Sequence, residues 1–353
     1  MSPTTIICLE RYVFLLNKGN KKIVKKKSYG ITRMGNISKN SIESNMDSRI
    51  CNPARHRKPG ETCLSLDALE KMKQAWNNKH PENPIRSNTR KNHKRDTIAK
   101  RTALWKQLRQ TMKNSYNCDS EYCALKKIPG LEKKERQNLS KKYFRPEKPD
   151  EWNKDQKTWL DSFNIEDVMN QYEEAYSDFE FIGPVPIDFD APSDSAAIVD
   201  LGTCIVDELC KLDLKDAFKK GTKRIGIIFN LDKHDEPGSH WVCSYIDIPN
   251  KSAYYFDSYG LPPPPEVARL LERCKEQGAE IILYNDIRHQ RKDSECGMYC
   301  LYTIISLLKG HTFQAICLEI VKDDAMNVFR DVLFVSEKPR EEALNKSIQK
   351  MGA

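Results

Sequence analysis

The sequence holds a set of residues that could together activate a sulfur. Cys296 stands in the string QRKDSECGMYCLYTII, between an acidic residue and a glycine and just ahead of a segment with helical periodicity. A cysteine in the first turn of a helix lies beside unpaired backbone N–H groups and the positive end of the helix dipole, and both favour a nucleophilic thiolate. Met298, Leu301, Tyr302, Ile305 and Leu308 recur at steps of three and four, which predicts a helix that buries one face and holds the thiol rigidly. An isolated cysteine is more often a packing residue, so its partners decide the matter.

Thiol activation requires a base within hydrogen-bond reach and a third group that orients that base. His234, His240, His289 and His311 lie in the second half of the chain. His240 follows Pro237, Gly238 and Ser239 at the mouth of a strand, so its ring can enter a cleft from a rigid element. HWVCSYIDI (240–248) and SAYYFDS (252–258) read as a hairpin with a loop at Ile248 to Lys251. In that register Asp247 faces Ser252, Asp257 lies opposite Val242, and His240 and Asp257 become diagonal neighbours on one face, about 7–8 Å apart at the backbone. Asp247 falls on the other face. Attack on a carbonyl creates an oxyanion, for which the Cys296 N–H and the Gln290 side-chain amide, six residues upstream, are the candidate donors.

The elements that must carry these residues form the second half of the chain. KTWLDSFNIEDVMNQYEEAY reads as a helical entry and RIGIIFN as a buried strand. The hairpin follows, then a helix opening at Pro262 to Pro265, the strand EIILYN, the cysteine helix and a last helix at NVFRDVLF. Hairpins mixed with crossovers predict an α+β domain rather than a doubly wound parallel sheet. Upstream, SLDALEKMKQAWNNK and IAKRTALWKQLRQTMK read as helices, and Pro146 and Pro149 break the pattern. This divides the chain into a basic segment at 1–45 expected to be disordered, a basic helical arm at 46–145, a catalytic domain at 146–338 and a tail at 339–353. Met34 or Met46 are alternative starts.

The overall net charge of +8 hides an asymmetry. Residues 1–145 carry 34 Lys+Arg against 12 Asp+Glu, and the rest carry 24 against 38. A basic arm of this kind attracts nucleic acid, an acidic partner or the acidic half of the chain itself. The stretch RSNTRKNHKRDTIAKRTALWKQLRQ could follow a nucleic acid backbone, but stacking aromatics are sparse there, which favours substrate docking. The 12 cysteines are scattered singly and no secretory signal precedes them, so they are expected to be reduced thiols. Cys51, His56, Cys63, Cys118 and Cys123 lack the tight spacing of zinc knuckles, so no metal or cofactor is expected. TIICLERYVFLLN is too short, and interrupted by Glu10 and Arg11, so no membrane anchor is expected either. Cys300, on nearly the same helix face as Cys296, reads as core.

His-Trp, an Asp seventeen residues later and Gln-x5-Cys-Gly resemble the signature of the Ulp1/adenain-type cysteine proteases, which include SUMO-specific and adenoviral proteases. More narrowly, DIRHQRKDSECGMYCLYTI, NCDSEYCALKK, the FNIEDV segment and DDAMNVFRDVLF resemble the polyprotein-processing proteases of African swine fever virus and related large nucleocytoplasmic DNA viruses. This likeness runs from about residue 115 to 335. The resemblance implies a papain-like core, with a central mixed sheet flanked by helices and preceded by an N-terminal arm. It also implies Cys296 as nucleophile, His240 as base, Asp257 as orienting acid, and Gln290 with the Cys296 N–H as oxyanion donors. Trp159, in TWLD, resembles the tryptophan that shields the substrate's glycine tail in SUMO proteases, while Trp241 is a cleft wall or, by preference, a support. Two positions depart from the pattern. The swine fever virus enzymes have Asn at the Asp257 position, and cellular members have Asn where this chain has Lys292.

The function implied is a viral cysteine endopeptidase that matures structural polyproteins during virion assembly, cutting after Gly-Gly, at assembly sites in the host cytoplasm and in the virion. The alternatives are a SUMO or ubiquitin-like deconjugating isopeptidase, which shares the entire site, and an inactive protease-fold scaffold that binds nucleic acid through its arm.

Overall fold

The computed structural model describes residues 50–55, 61–86, 97–192 and 204–336. The expectations for residues 1–45, the alternative starts, His56, the tail at 339–353 and the middle of the basic stretch at 87–96 lie outside the described residues. The chain divides into two compact units, one containing residues 46–155 and 329–346 and the other containing 156–328. The break falls at 155/156, not at the prolines near 146, and the end of the last helix belongs to the first unit. A division by contacts follows packing, which a change of composition does not report.

In the first unit, α1 (Leu66–Lys79), α2 (Ile98–Tyr116), α3 (Glu121–Lys127) and α4 (Lys133–Tyr143) surround one apolar cluster that includes Leu69, Met72, Trp76, Leu108, Met112, Leu125 and Phe144. The side chains of Ser65, Thr97 and Ser120 cap the first three helices at their N-termini, so each helix start is locally encoded. Arg136 on α4 reaches back to the end of α3, where its guanidinium donates to the carbonyls of Leu125, Lys126, Ile128 and Leu131. Those carbonyls would otherwise lack donors.

The expectation of uniformly reduced cysteines is corrected here. Cys51–Cys63, Cys118–Cys123 and Cys204–Cys210 form disulfides, while Cys243, Cys274, Cys296, Cys300 and Cys317 are buried and in no disulfide. Turns and helix starts bring the paired Cα atoms to 5.4, 5.4 and 6.4 Å, a proximity that scattered spacing does not announce.

The second unit is built on a five-stranded mixed sheet in the order β1-β2-β3-β4-β5. It begins with α5 (Ser162–Ala175) and β1 (Phe179–Pro186), followed by the short α6 (Asp207–Cys210) and α7 (Leu214–Lys220). Next come β2 (Arg224–Asn230), β3 (Trp241–Asp247) and β4 (Ser252–Phe256), then α8 (Pro265–Glu276) and β5 (Ile281–Tyr284). The helices α9 (Cys296–Leu308), α10 (Phe313–Leu318) and α11 (Asp323–Leu333) follow. The three central strands pair antiparallel with one another, and both edge strands join in parallel. β1 was not legible in the sequence because Gly183-Pro184 reads as a turn. An edge strand tolerates that proline, and the pairing with β2 shifts register between Ile182 and Val185.

The sheet is buried on both faces. Ile225, Ile227, Phe229, Val242 and Ala253 pack with Val267, Leu270 and Leu271 of α8, and α9 lies against β3. A Cβ at Gly226 would meet Ile304 of α9 at 3.2 Å and Phe179 at 2.9 Å, so glycine lets that helix approach the sheet. Every residue of α9 is buried, not just the periodic face, because α5 and α10 pack against it as well as β3. The cysteine helix is therefore the central spine of this unit. Among the described residues no helix is long and apolar enough to cross a membrane.

Candidate active site

The β3–β4 hairpin pairs Asp247 with Ser252 and Cys243 with Phe256, the register read from the sequence. One step beyond the ladder, His240 and Asp257 meet, with Nε2 of the ring 2.8 Å from Oδ1 of the carboxylate. Asp247 is occupied elsewhere, accepting from the backbone N–H and side-chain amide of Asn250 in the turn. Asp257 is 1% exposed. Its Oδ1 also accepts from the Tyr259 N–H at 2.9 Å, and its backbone carbonyl accepts from Asn285 Nδ2 at 2.8 Å. The acid is thus held from both ends.

With Nε2 engaged by Asp257, Nδ1 is the ring nitrogen left for the neighbouring Cys296 thiol. Burial opposes charge on the ring, but the hydrogen bond with Asp257 and the neighbouring Cys296 outweigh it and raise the His240 pKa to about 9. Near neutrality the ring is an imidazolium beside the sulfur. An imidazolium at this position stabilises negative charge that develops on a neighbouring sulfur. Tyr259 stacks on the ring at 4.6 Å, and the Arg288 guanidinium lies 5.1 Å from the Tyr259 centroid on a side chain that also donates to the Gln290 carbonyl.

Cys296 is the first residue of α9, so its N–H has no carbonyl one turn earlier to bond. Gln290 is fully buried. Its Oε1 accepts from Ser258 Oγ at 2.6 Å, whereas its Nε2 is buried with no hydrogen-bond partner. A buried unpaired donor is costly in a folded protein, and a role in binding a transient acceptor accounts for one. The backbone around it is pinned on both sides. His289 N and Gln290 N donate to the Ser258 carbonyl, and Arg291 N and Lys292 N donate to Asp323 at the start of α11.

Trp159 lies in the segment before α5 and is 41% exposed, which excludes a core role in the entry helix. Trp241 is buried, and its indole N–H donates to the Leu160 carbonyl at 3.0 Å, so it supports the segment that carries Trp159. Gly297 completes this contact, since a Cβ there would meet Leu160 at 3.2 Å and Trp241 at 3.3 Å. Two of the other histidines are engaged elsewhere. His234 pairs with Asp188, and His289 is buried with Nε2 against the Cys317 carbonyl, where burial pushes its pKa down. Cys300 is fully buried and its thiol is pushed up by burial. Sequence reasoning missed Ser258, Tyr259, Asn285 and Asp323. Each looks like an ordinary loop residue until distant loops meet, and only the position of Ser258 directly after Asp257 could have drawn attention.

A histidine with a buried carboxylate on one ring nitrogen, a neighbouring cysteine at a helix start and an unpartnered amide donor form a thiol hydrolase site. The comparisons agree. The model of the Ulp1 protease family, C-terminal catalytic domain, matches residues 214–340. A thiol protease of Acanthamoeba polyphaga mimivirus is 30% identical over 300 residues, covering 81% of this chain and 93% of that protein. The chain belongs to the Ulp1 family of cysteine proteases. The cysteine protease of African swine fever virus is 28% identical over 235 residues, covering 63% of this chain and 85% of its own length. In other isolates of that virus the 27% identical protein is named SUMO-1 cysteine protease. The crystal structure of the swine fever virus protease superposes with a TM-score of 0.53 at 20% identity, over 82% of this chain and 97% of that one. The Ulp1-family fold, an α+β domain with a mixed sheet and flanking helices, is thus the fold of this chain.

Proposed function

We propose that this protease is a viral endopeptidase that cleaves structural polyproteins after Gly-Gly during virion maturation. Its place of action in this reading is the assembly site in the host cytoplasm and then the virion. Cys296 attacks the scissile carbonyl as His240 holds its proton, and Gln290 Nε2 with the Cys296 N–H receives the oxyanion. The C–N bond then breaks, His240 donates its proton to the leaving amine, and an acyl-enzyme remains. Water, deprotonated by His240, releases the carboxylate product. Asp257 keeps the ring oriented throughout. The observation that carries the chemistry is the buried 2.8 Å hydrogen bond between His240 Nε2 and Asp257, which leaves the other ring nitrogen for the neighbouring Cys296. The half-exposed Trp159, next to the Leu160 that packs against Gly297 of α9, supports glycine specificity, because a cleft walled by an indole admits residues without side chains.

A second reading is deconjugation of a ubiquitin-like modifier, favoured by the name SUMO-1 cysteine protease carried by the swine fever virus relatives. It shares the whole site and differs in the surface that grips the substrate. Incubating wild type and Cys296→Ala with a Gly-Gly-X peptide reporter and with a SUMO fusion separates the two. Cleavage of the reporter by wild type alone is expected. Cleavage of only the fusion moves the function to deconjugation, and cleavage of neither overturns both readings. For the arm we propose substrate docking, with nucleic acid or an acidic partner on the face of α4 that exposes Lys133, Lys134, Lys141 and Lys142.

A further inference from the structure

The oxyanion reading of Gln290 leaves one question, which is what keeps the donor end of its amide free. The two ends of a glutamine amide are nearly the same shape, and only one of them stabilises an oxyanion. Presenting Oε1 instead of Nε2 would place a lone pair against the developing negative charge. The Ser258 hydroxyl occupies Oε1 at 2.6 Å and leaves Nε2 unpartnered. Ser258 is 1% exposed and Gln290 0%, so water does not compete for this bond.

The same residue joins two loops through its backbone. The Ser258 carbonyl accepts from both His289 N and Gln290 N at 2.9 Å, and Asn285 Nδ2 bridges the carbonyls of Asp257 and Ile287 at 2.8 Å each. Gly260 closes the turn with φ +73°, and a Cβ there would meet the Ile287 carbonyl carbon at 2.8 Å, so the loops touch backbone to backbone. Ser258 directly follows Asp257 in the chain. One residue therefore sits between the acid that orients the base and the amide that receives the oxyanion.

We propose that Ser258 is a positioning residue that holds the Gln290 amide with its donor end free and keeps that donor in register with the His240–Asp257 pair. This rests on the reading of Gln290 as an oxyanion donor. The hydrogen bond to Oε1 also polarises the amide and strengthens Nε2 as a donor. Ser258→Ala removes that bond alone, since the backbone ties remain.

The test uses the full chain as wild type, Ser258→Ala, Gln290→Ala and the double variant. Four quantities are measured: kcat and KM on a Gly-Gly-aminomethylcoumarin peptide, Ki for a peptide ending in glycinal, and the rate of Cys296 alkylation by iodoacetamide. Peptide hydrolysis and the aldehyde adduct need the oxyanion donor, whereas alkylation needs only the thiolate. Gln290→Ala is expected to lower kcat by roughly 100- to 1000-fold, and Ser258→Ala by about 10- to 100-fold with KM within about twofold. Ki should rise in parallel. The double variant should be no slower than Gln290→Ala, because both act through one group. Alkylation should stay within about twofold throughout. A wild-type kcat in Ser258→Ala, additive losses in the double variant, or alkylation slowed in step with kcat would each overturn the proposal. A wild-type kcat in Gln290→Ala would instead sink the oxyanion reading itself. No turnover by wild type would remove the functional reading and this one together.

Discussion

Replacing Asp257 by asparagine tests the electrostatics of the site most directly. The change keeps an oxygen to accept from the His240 ring and from the Tyr259 N–H, and it removes one negative charge 2.8 Å from Nε2. The His240 pKa of about 9 reflects burial acting downward and the partners Asp257 and Cys296 acting upward. A hydrogen bond between ionised groups is worth about 1.5–3 kcal/mol, against roughly 1 for a neutral one. The difference between them is about 0.5–2 kcal/mol, or roughly half to one and a half pH units at about 1.4 kcal/mol per unit. The alkaline limb of kcat/KM, where the imidazolium loses the proton it must give to the leaving amine, should therefore move from about pH 9 in wild type to between about 7.5 and 8.5 in Asp257→Asn. The assay is the pH profile of kcat/KM on a peptide reporter, with the pH dependence of iodoacetamide alkylation as a check that does not involve the leaving group. Stability should follow the same group. A folded pKa above the unfolded value of about 6.5 stabilises the fold fully below that pH, and the contribution is lost as pH rises through about 9. The deficit of Asp257→Asn in urea melts should thus be greatest near pH 6 and shrink towards pH 9.5. An alkaline limb that stays within about 0.2 units of wild type would show that the Asp257 charge does not set the ring's proton affinity.

Three further outcomes are expected. Trp241→Phe deletes the indole donor to the Leu160 carbonyl and loosens the Trp159 segment, so KM should rise several-fold while alkylation of Cys296 is unchanged; an unaltered KM would deny Trp159 a part in binding. Gly297→Ala forces a methyl within 3.2–3.3 Å of Leu160 and Trp241, so kcat/KM should fall even though alanine favours the helix by about 1 kcal/mol, and a wild-type value would mean that the neighbours yield freely. Arg136→Ala leaves the carbonyls at the end of α3 without their shared donor, and equilibrium unfolding should show a loss of about 2 kcal/mol or more, against none if those carbonyls are otherwise solvated.

What could be read in advance was local. A thiol at a helix start, periodic apolar residues and a hairpin of defined loop length are short-range features, and strand parity alone places His240 and Asp257 on one face while setting Asp247 aside. Spacing to the cysteine drew out Gln290 in the same way. The family, too, was legible, because the site's residues keep their order along the chain even where the rest has diverged. The single buried face expected for the cysteine helix was too modest, since the sequence does not say which helices will cover the other side. β1 was hidden by its Gly-Pro, and the disulfides by spacings that carry no signature.

The amino-acid sequence by itself determined which groups could do the chemistry, because nucleophile, base, acid and amide are properties of side chains and of short-range geometry. Only the tertiary structure decided how they are held. Ser258 meets Gln290 across 32 residues, Asp323 reaches the Arg291 and Lys292 amides across a similar span, and Trp241 holds Leu160 from 81 residues away. Contacts at such separations arise when whole elements pack, and no local pattern encodes them.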